Sequence, residues 1–195
     1  MSIIALEGID KSGKGTQAQL LLEEYKRAGC KAECIAFPDY ETPLGKEIKR
    51  FLQGNIDFCP ETRQLLYVAN RWERKKDIDT WLKEGKIVIT DRYIPSGLVY
   101  GYANNLNLDW IIKLEEGLPI VNMVIVIDVS VETSFKRSEA EKKDVYERNK
   151  RFLEKVRNAY LDLAEKLGWI IIDGERPIEL VHKQIWNNAL KLIRQ

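Results

Sequence analysis

Ile3-Ile4-Ala5-Leu6-Glu7-Gly8-Ile9-Asp10-Lys11-Ser12-Gly13-Lys14-Gly15-Thr16-Gln17-Ala18-Gln19-Leu20 runs from an apolar stretch through a glycine-flanked turn into the start of an amphipathic helical pattern. Strand, turn and helix in that order form a phosphate cradle. Glycines at both ends let successive backbone N–H groups of Gly8, Ile9, Asp10, Lys11, Ser12, Gly13, Lys14, Gly15 and Thr16 point inward. The helix N-terminus adds partial positive charge, and Lys14 reaches the β- and γ-phosphates. The spacing Gly8-x-x-x-x-Gly13-Lys14 recurs by chance in unrelated chains, so its context between strand and helix gives it meaning. The turn predicts binding of a nucleoside triphosphate. Gly15 stands where a Ser or Thr commonly touches Mg²⁺, so phosphate oxygens and water must supply more of the metal's coordination.

Outward from this stretch, apolar runs recur at Ile3 to Leu6, Ala32 to Phe37, Ile87 to Thr90, Met123 to Val129 and Trp169 to Ile172. Between them, helical periodicity covers Gln17 to Ala28, Leu44 to Leu52, Glu61 to Glu84, Leu108 to Glu116, Val145 to Leu167 and Ile178 to Ile193. Continuous rather than alternating apolar strands, separated by helices, predict an α/β fold with a five-stranded parallel sheet covered on both faces. Ligands of such sheets bind at the carboxyl ends of the strands. Lys136 to Asp144 is short, charged and free of aromatic residues, and reads either as a solvated turn or as a flap over the nucleotide.

The chain has 195 residues, which fits a single domain, 1–195, able to bury a core without disulfides or structural metal. Its 31 Lys and Arg against 30 acidic residues give a net charge of +1, which provides no global field for nucleic acid or an anionic membrane. Cys30, Cys34 and Cys59 lack zinc-type spacing and read as reduced thiols. No run approaches a membrane span, and a strand begins at once without a signal-type apolar segment; the expectation is a cytoplasmic protein.

Asp91 and Arg92 end the strand Ile87 to Thr90, on the same sheet edge as the glycine turn if the strands are parallel. A strand-terminal Asp91 is placed to hold Mg²⁺ through water, and Arg92 supplies a planar fork for a phosphoryl group. Neither Asp91-Arg92 nor Asp128-Val129 has the Glu that a hydrolase of this type uses to activate water. Asn149-Lys150-Arg151-Phe152 does not make the guanine reader of a GTPase. Transfer to a nucleoside monophosphate fits better, because it brings two polyanions together among local cations, here Lys11, Lys14, Arg71 and Arg92.

Glu7-Gly8-Ile9-Asp10, Phe37-Pro38-Asp39-Tyr40, Ala69-Asn70-Arg71-Trp72-Glu73 and Asp91-Arg92-Tyr93-Ile94-Pro95-Ser96, in this order and at these separations, resemble the thymidylate kinases. The likeness extends to the helix beginning Val145-Tyr146-Glu147. It implies a three-layer P-loop kinase fold with a short lid at about 136–145. It also implies transfer of phosphate from ATP to dTMP, with Mg²⁺, in the supply of dTTP.

The resemblance places Asp10, Lys11, Lys14 and Arg92 in catalysis. It sets Arg137 beside the adenine, adding it to the ATP-binding turn. Around dTMP it places Asp10, Phe37, Pro38, Tyr67, Arg71, Arg92, Ser96, Gly97 and Tyr100. Within that set, Asp10 meets the sugar 3′-hydroxyl or the metal side of the acceptor, Tyr67 stacks on the pyrimidine, and Arg71 meets a thymine oxygen or the phosphate. Tyr100 lies under the sugar, where a ribose 2′-hydroxyl would not fit. Lys11 stands where the family often has Arg, so Lys11, with Lys142 or Lys143 of the lid, is expected to face the γ-phosphate. Tyr40 replaces an Arg found in some members. A homodimer is implied by resemblance alone. Kinases for UMP, CMP or AMP and an inactive nucleotide-binding regulator remain alternatives. His182, the five Trp and the carboxylates of Glu115 and Glu116 read as structural, the carboxylates having no paired partner at useful spacing.

Overall fold

The structure is a computed structural model in which residues 2–138, 144–146 and 149–192 are described. Five parallel strands, β1 (Ile3–Glu7), β2 (Ala32–Ala36), β3 (Ile87–Asp91), β4 (Met123–Asp128) and β5 (Ile170–Asp173), form one sheet in the order β2-β3-β1-β4-β5. β1 is central and all five of its residues are buried, which is why its sequence is apolar without alternation. Ile4 and Leu6 pack under α1 (Lys14–Arg27) and α9 (Ile178–Ala189), through Leu21, Tyr25, Val181 and Ile185. Ile3 and Ala5 pack on the opposite face with Val88, Tyr93 and Ile78, the last from α4 (Lys75–Lys83). On that face β4 meets α5 (Ile94–Ala103) and α8 (Lys150–Leu167) through Val126, Val99, Leu153 and Val156. The remaining helices are α2 (Pro43–Leu52), α3 (Pro60–Glu73), α6 (Leu108–Glu115) and α7 (Val131–Arg137).

The order of strands puts a change of direction between β1 and β3. From β1 the chain crosses to β2 at one edge of the sheet, and from β3 it crosses in the opposite direction to β4 on the far side of β1, so the crevice at their carboxyl ends is open to a ligand. The glycine turn leaves β1 there, and Asp91-Arg92 leave β3 beside it, with the Arg92 N–H donating to Leu6 O at 3.0 Å.

All five strands fall where the apolar runs predict them. The helical pattern from Glu61 to Glu84 is two helices, α3 and α4, separated at Arg74. α8 begins at Lys150, not at Val145, because the Asn149 side chain caps it by accepting from Phe152 N at 3.1 Å. α5 and α7 carry no signal in the sequence reading. Ile94-Pro95-Ser96-Gly97-Leu98-Val99-Tyr100-Gly101-Tyr102-Ala103 contains two glycines and no charged residue, and both sides of α5 are covered by neighbours, so it has no polar stripe to reveal a period of 3.6.

Candidate active site

The glycine turn is shaped by contacts that exclude side chains. Gly8 has φ +139°, and a Cβ there would lie 2.4 Å from Ile127 O, so only glycine fits between β1 and β4. Gly13, φ +99°, turns the chain into α1. Lys11 between them adopts a left-handed backbone at φ 59°, which is rare for a residue with a side chain and found at ligand sites. The Lys14 Nζ lies buried inside the turn and donates to Ile9 O at 2.8 Å and Ser12 Oγ at 3.4 Å. Burial, reinforced by the charge of Arg92, lowers its pKa to about 8.

Two cavities meet this turn. The first, of about 760 Å³, lies on the outer side of Lys11, Ser12, Gly13 and Thr16. Arg137 from α7 forms a wall of it, with Nη1 donating to Lys11 O at 3.2 Å and Ser12 O at 3.4 Å and Nη2 to Gly174 O at 3.0 Å. Its far wall is the turn between β5 and α9 and the start of α9, where Gly174, Arg176 and Ile178 carry no signal of a site in sequence.

The second cavity, of about 590 Å³, contains every residue expected around the acceptor: Asp10, Phe37, Pro38, Tyr67, Arg71, Arg92, Ser96, Gly97 and Tyr100. Sequence reading missed Leu52, Gln64 and the Asp144 and Tyr146 pair that also line it. Phe37 and Pro38 are joined by a cis peptide bond. Asn70 braces the turn that follows, accepting from Asp39 N at 2.8 Å and donating to Thr42 Oγ1 at 2.7 Å. Tyr146 packs edge-on to Phe51 and near-parallel to Phe152, with ring centroids 5.7 and 5.1 Å apart, and roofs the Tyr100 ring at 5.5 Å. Lys142 and Lys143 lie outside the described residues.

Arg92 is the hub between the cavities. Its backbone is left-handed at φ 67°. Nη1 donates to Gly8 O at 2.9 Å and, at 3.2 Å each, to Ser96 Oγ and Tyr160 Oη; Nη2 donates to Asp10 Oδ1 at 2.5 Å. Burial pushes the Asp10 carboxyl up, but the charges of Arg92 and Lys14 outweigh it and hold the group below its ordinary value. Tyr100 Oη donates to Asp10 Oδ2 at 3.4 Å, and the Arg92 guanidinium stands 5.5 Å over the Tyr100 ring.

Behind Arg92 is a carboxylate that the sequence reading gave no role. Glu7, 0% exposed, accepts from Tyr93 N at 2.9 Å, Ser96 Oγ at 2.6 Å and Tyr160 Oη at 2.8 Å. Burial raises its pKa against the pull of these bonds and of Arg92. A charged residue at the end of an otherwise apolar central strand is the signal that could have found it. Arg71 is likewise anchored: its Nε donates to Glu115 Oε2 at 3.0 Å and its Nη2 to Oε1, in a pair that is 3% and 4% exposed. Glu115 is therefore not the unpartnered carboxylate its sequence position implied, because α6 packs on α3 and brings together residues 44 positions apart. Gly97 makes room for this pair, since a Cβ there would lie 2.6 Å from Glu115 Oε1 and 2.8 Å from Arg71 Nη2.

Asp91 faces the first turn of α1. Its Oδ2 lies 3.2 Å from the position of a Cβ on Gly15, and its Oδ1 is buried with no hydrogen-bond partner among the described residues. A buried carboxylate oxygen with an unmet demand, next to a residue with no side chain, suits a hydrated cation at the phosphates.

A glycine turn on α1 facing one cavity, and a cation-rimmed cleft behind it, define a P-loop kinase that works on a nucleotide. Residues 6–185 match the family model described as thymidylate kinase. The chain is 34% identical over 187 residues to the thymidylate kinase of Homo sapiens, covering 94% of this chain and 87% of that protein. It is 37% identical over 193 residues to the probable thymidylate kinase of Thermococcus kodakarensis, covering 93% and 94%. A solved thymidylate kinase from Candida albicans superimposes with a TM-score of 0.87 at 30% identity, over 97% of this chain and 91% of that one. The chain belongs to the thymidylate kinase family, phosphotransferases that act on dTMP.

Proposed function

We propose that this chain, as one domain with a lid at about 136–145, transfers the γ-phosphoryl group of ATP to the 5′-phosphate of dTMP, giving ADP and dTDP. The observation that carries the reading is the 2.9 Å hydrogen bond from Arg92 Nη1 to Gly8 O, which ties the acceptor-side cation to the phosphate turn itself. A donor phosphate in the turn and an acceptor phosphate on Arg92 then meet end to end. The acceptor oxygen is already anionic, so no general base is needed, and catalysis is positioning, charge neutralisation and exclusion of water.

Lys14 holds the β- and γ-phosphates, and Lys11 faces the group in transfer. Asp91 would hold Mg²⁺ through water, where the ion would neutralise phosphate oxygens. Arg137 and Ile178 border the adenine. Arg71, its charge already met by Glu115, suits a neutral thymine oxygen better than a phosphate. Tyr67 stacks on the base, and Phe37, Pro38 and Gly97 wall it. Tyr100, fixed to Asp10 and roofed by Tyr146, leaves no room for a ribose 2′-hydroxyl. ADP release measured with Mg-ATP against dTMP, dUMP, UMP, CMP and AMP tests the assignment. Highest kcat/KM with dTMP is expected, and equal stimulation by UMP would end it.

Leu65 and Trp72, seven residues apart on α3, are 46% and 42% exposed, and Ile112 of the adjoining α6 is 51% exposed. A homodimer covering this apolar face is part of the proposal, and sedimentation equilibrium tests it. Cytoplasmic residence is supported by three free thiols, and no helix among the described residues is long and apolar enough to cross a membrane.

A further inference from the structure

We propose that the hydroxyl of Tyr160, held by Glu7 beside Ser96, is the positioning group that decides which edge of Arg92 faces the acceptor. The inference rests on the reading of Arg92 as the ligand of the acceptor phosphate. Glu7 Oε2, Ser96 Oγ and Tyr160 Oη form a triangle with sides of 2.6, 2.8 and 2.9 Å. Each hydroxyl has one hydrogen, and the carboxylate draws both. The lone pairs of both oxygens therefore turn toward Arg92 Nη1, the donor beside them among the described residues, 3.2 Å from each.

With Gly8 O on its other hydrogen, Nη1 is saturated. Asp10 takes one hydrogen of Nη2. Of the five N–H bonds of a guanidinium, the Nε–H and one Nη2–H are left outside the hydrogen bonds among the described residues, and that pair is the fork that matches two phosphate oxygens. The triangle thus presents one edge of Arg92 and withholds the other. Tyr160 lies on the buried stripe of α8 with Leu153, Val156 and Leu163, where a phenylalanine would pack equally well; only the hydroxyl reaches the triangle.

Titration calorimetry of dTMP and of thymidine, which lacks the phosphate, separates positioning from packing. Tyr160→Phe is expected to weaken dTMP by about tenfold while thymidine changes less than about twofold, and to have no further effect in an Arg92→Ala background. Glu7→Gln, whose amide NH2 in place of Oε2 reverses both hydrogen bonds from the hydroxyls, should give the same selective loss and serves if Tyr160→Phe does not fold. Equal losses for both ligands, or no loss for either, would overturn the proposal. If Arg92→Ala alone leaves the ratio of dTMP to thymidine affinity unchanged, the reading of Arg92 itself fails; if it changes that ratio and Tyr160→Phe does not, only the positioning role fails.

Discussion

The donor cavity and the acceptor cavity share one rim but are built from different material. On the donor side the binding groups are main-chain N–H groups and the lysine side chains of one continuous stretch, with Arg137 clamping the carbonyls of Lys11, Ser12 and Gly174. On the acceptor side they are ionised side chains from distant segments, each tied to an opposite charge: the part-buried Arg92 to Asp10, and the buried Arg71 to Glu115. A backbone cradle tolerates changes in side chains, whereas a buried pair does not tolerate loss of one member.

The strongest way to break the comparison is Arg92→Ala. Turnover of dTMP should fall by roughly 10³-fold, the scale for removing an electrostatic contact to the reacting group, with ATP affinity unchanged. A parallel loss of ATP binding would mean that the two sides are one site. Glu115→Ala comes next: it strands Arg71 in the interior and should destabilise the protein by about 3–5 kcal/mol in urea unfolding. Arg137→Ala, on the donor side, should leave stability within about 1 kcal/mol, since its partners are carbonyls at a half-open surface.

Lys11→Ala sharpens the picture further, because Lys11 follows the donor but acts on the group that crosses. A fall in kcat of about 30-fold with little change in dTMP affinity is expected; an unchanged kcat would discard its role.

The smallest effect is one of pH. Lys14 titrates at about 8 in the free protein against 10.5 unperturbed, so between these values the unfolded chain binds more protons and this group makes stability rise with pH. A bound polyphosphate restores the proton. ATP binding should then take up protons near pH 8, and its affinity should fall by at most about tenfold per unit above that pH, which calorimetry in buffers of different ionisation enthalpy measures.

The same contrast explains what could be read from the sequence. The donor turn lies within one short stretch and is visible as a pattern of glycines and one lysine. The inner strands β1 and β3 were legible because burial on both faces makes them almost uniformly apolar, while the part-exposed edge strands β2 and β5 showed only as short apolar runs. Most of the acceptor residues emerged only through four motifs at family spacing. Those that brace them did not: Tyr160 is 153 positions from Glu7 and sits at core spacing on its helix, and Glu115 looks like any acidic residue near a helix end. Periodicity reports which face a residue occupies, but not which distant partner the sheet delivers to it. α5, lacking a polar stripe, stayed invisible for the same reason.

Lys11 and Arg92 hold their side chains on left-handed backbone, a conformation that glycine adopts with a gain of about 1 kcal/mol. At Lys11, unlike at Arg92, whose removal would strand Asp10, directed evolution that selects for heat resistance alone will therefore drift toward glycine and harvest sturdier, inert variants. Thermostabilised lines of this kinase must be screened for growth that depends on its product.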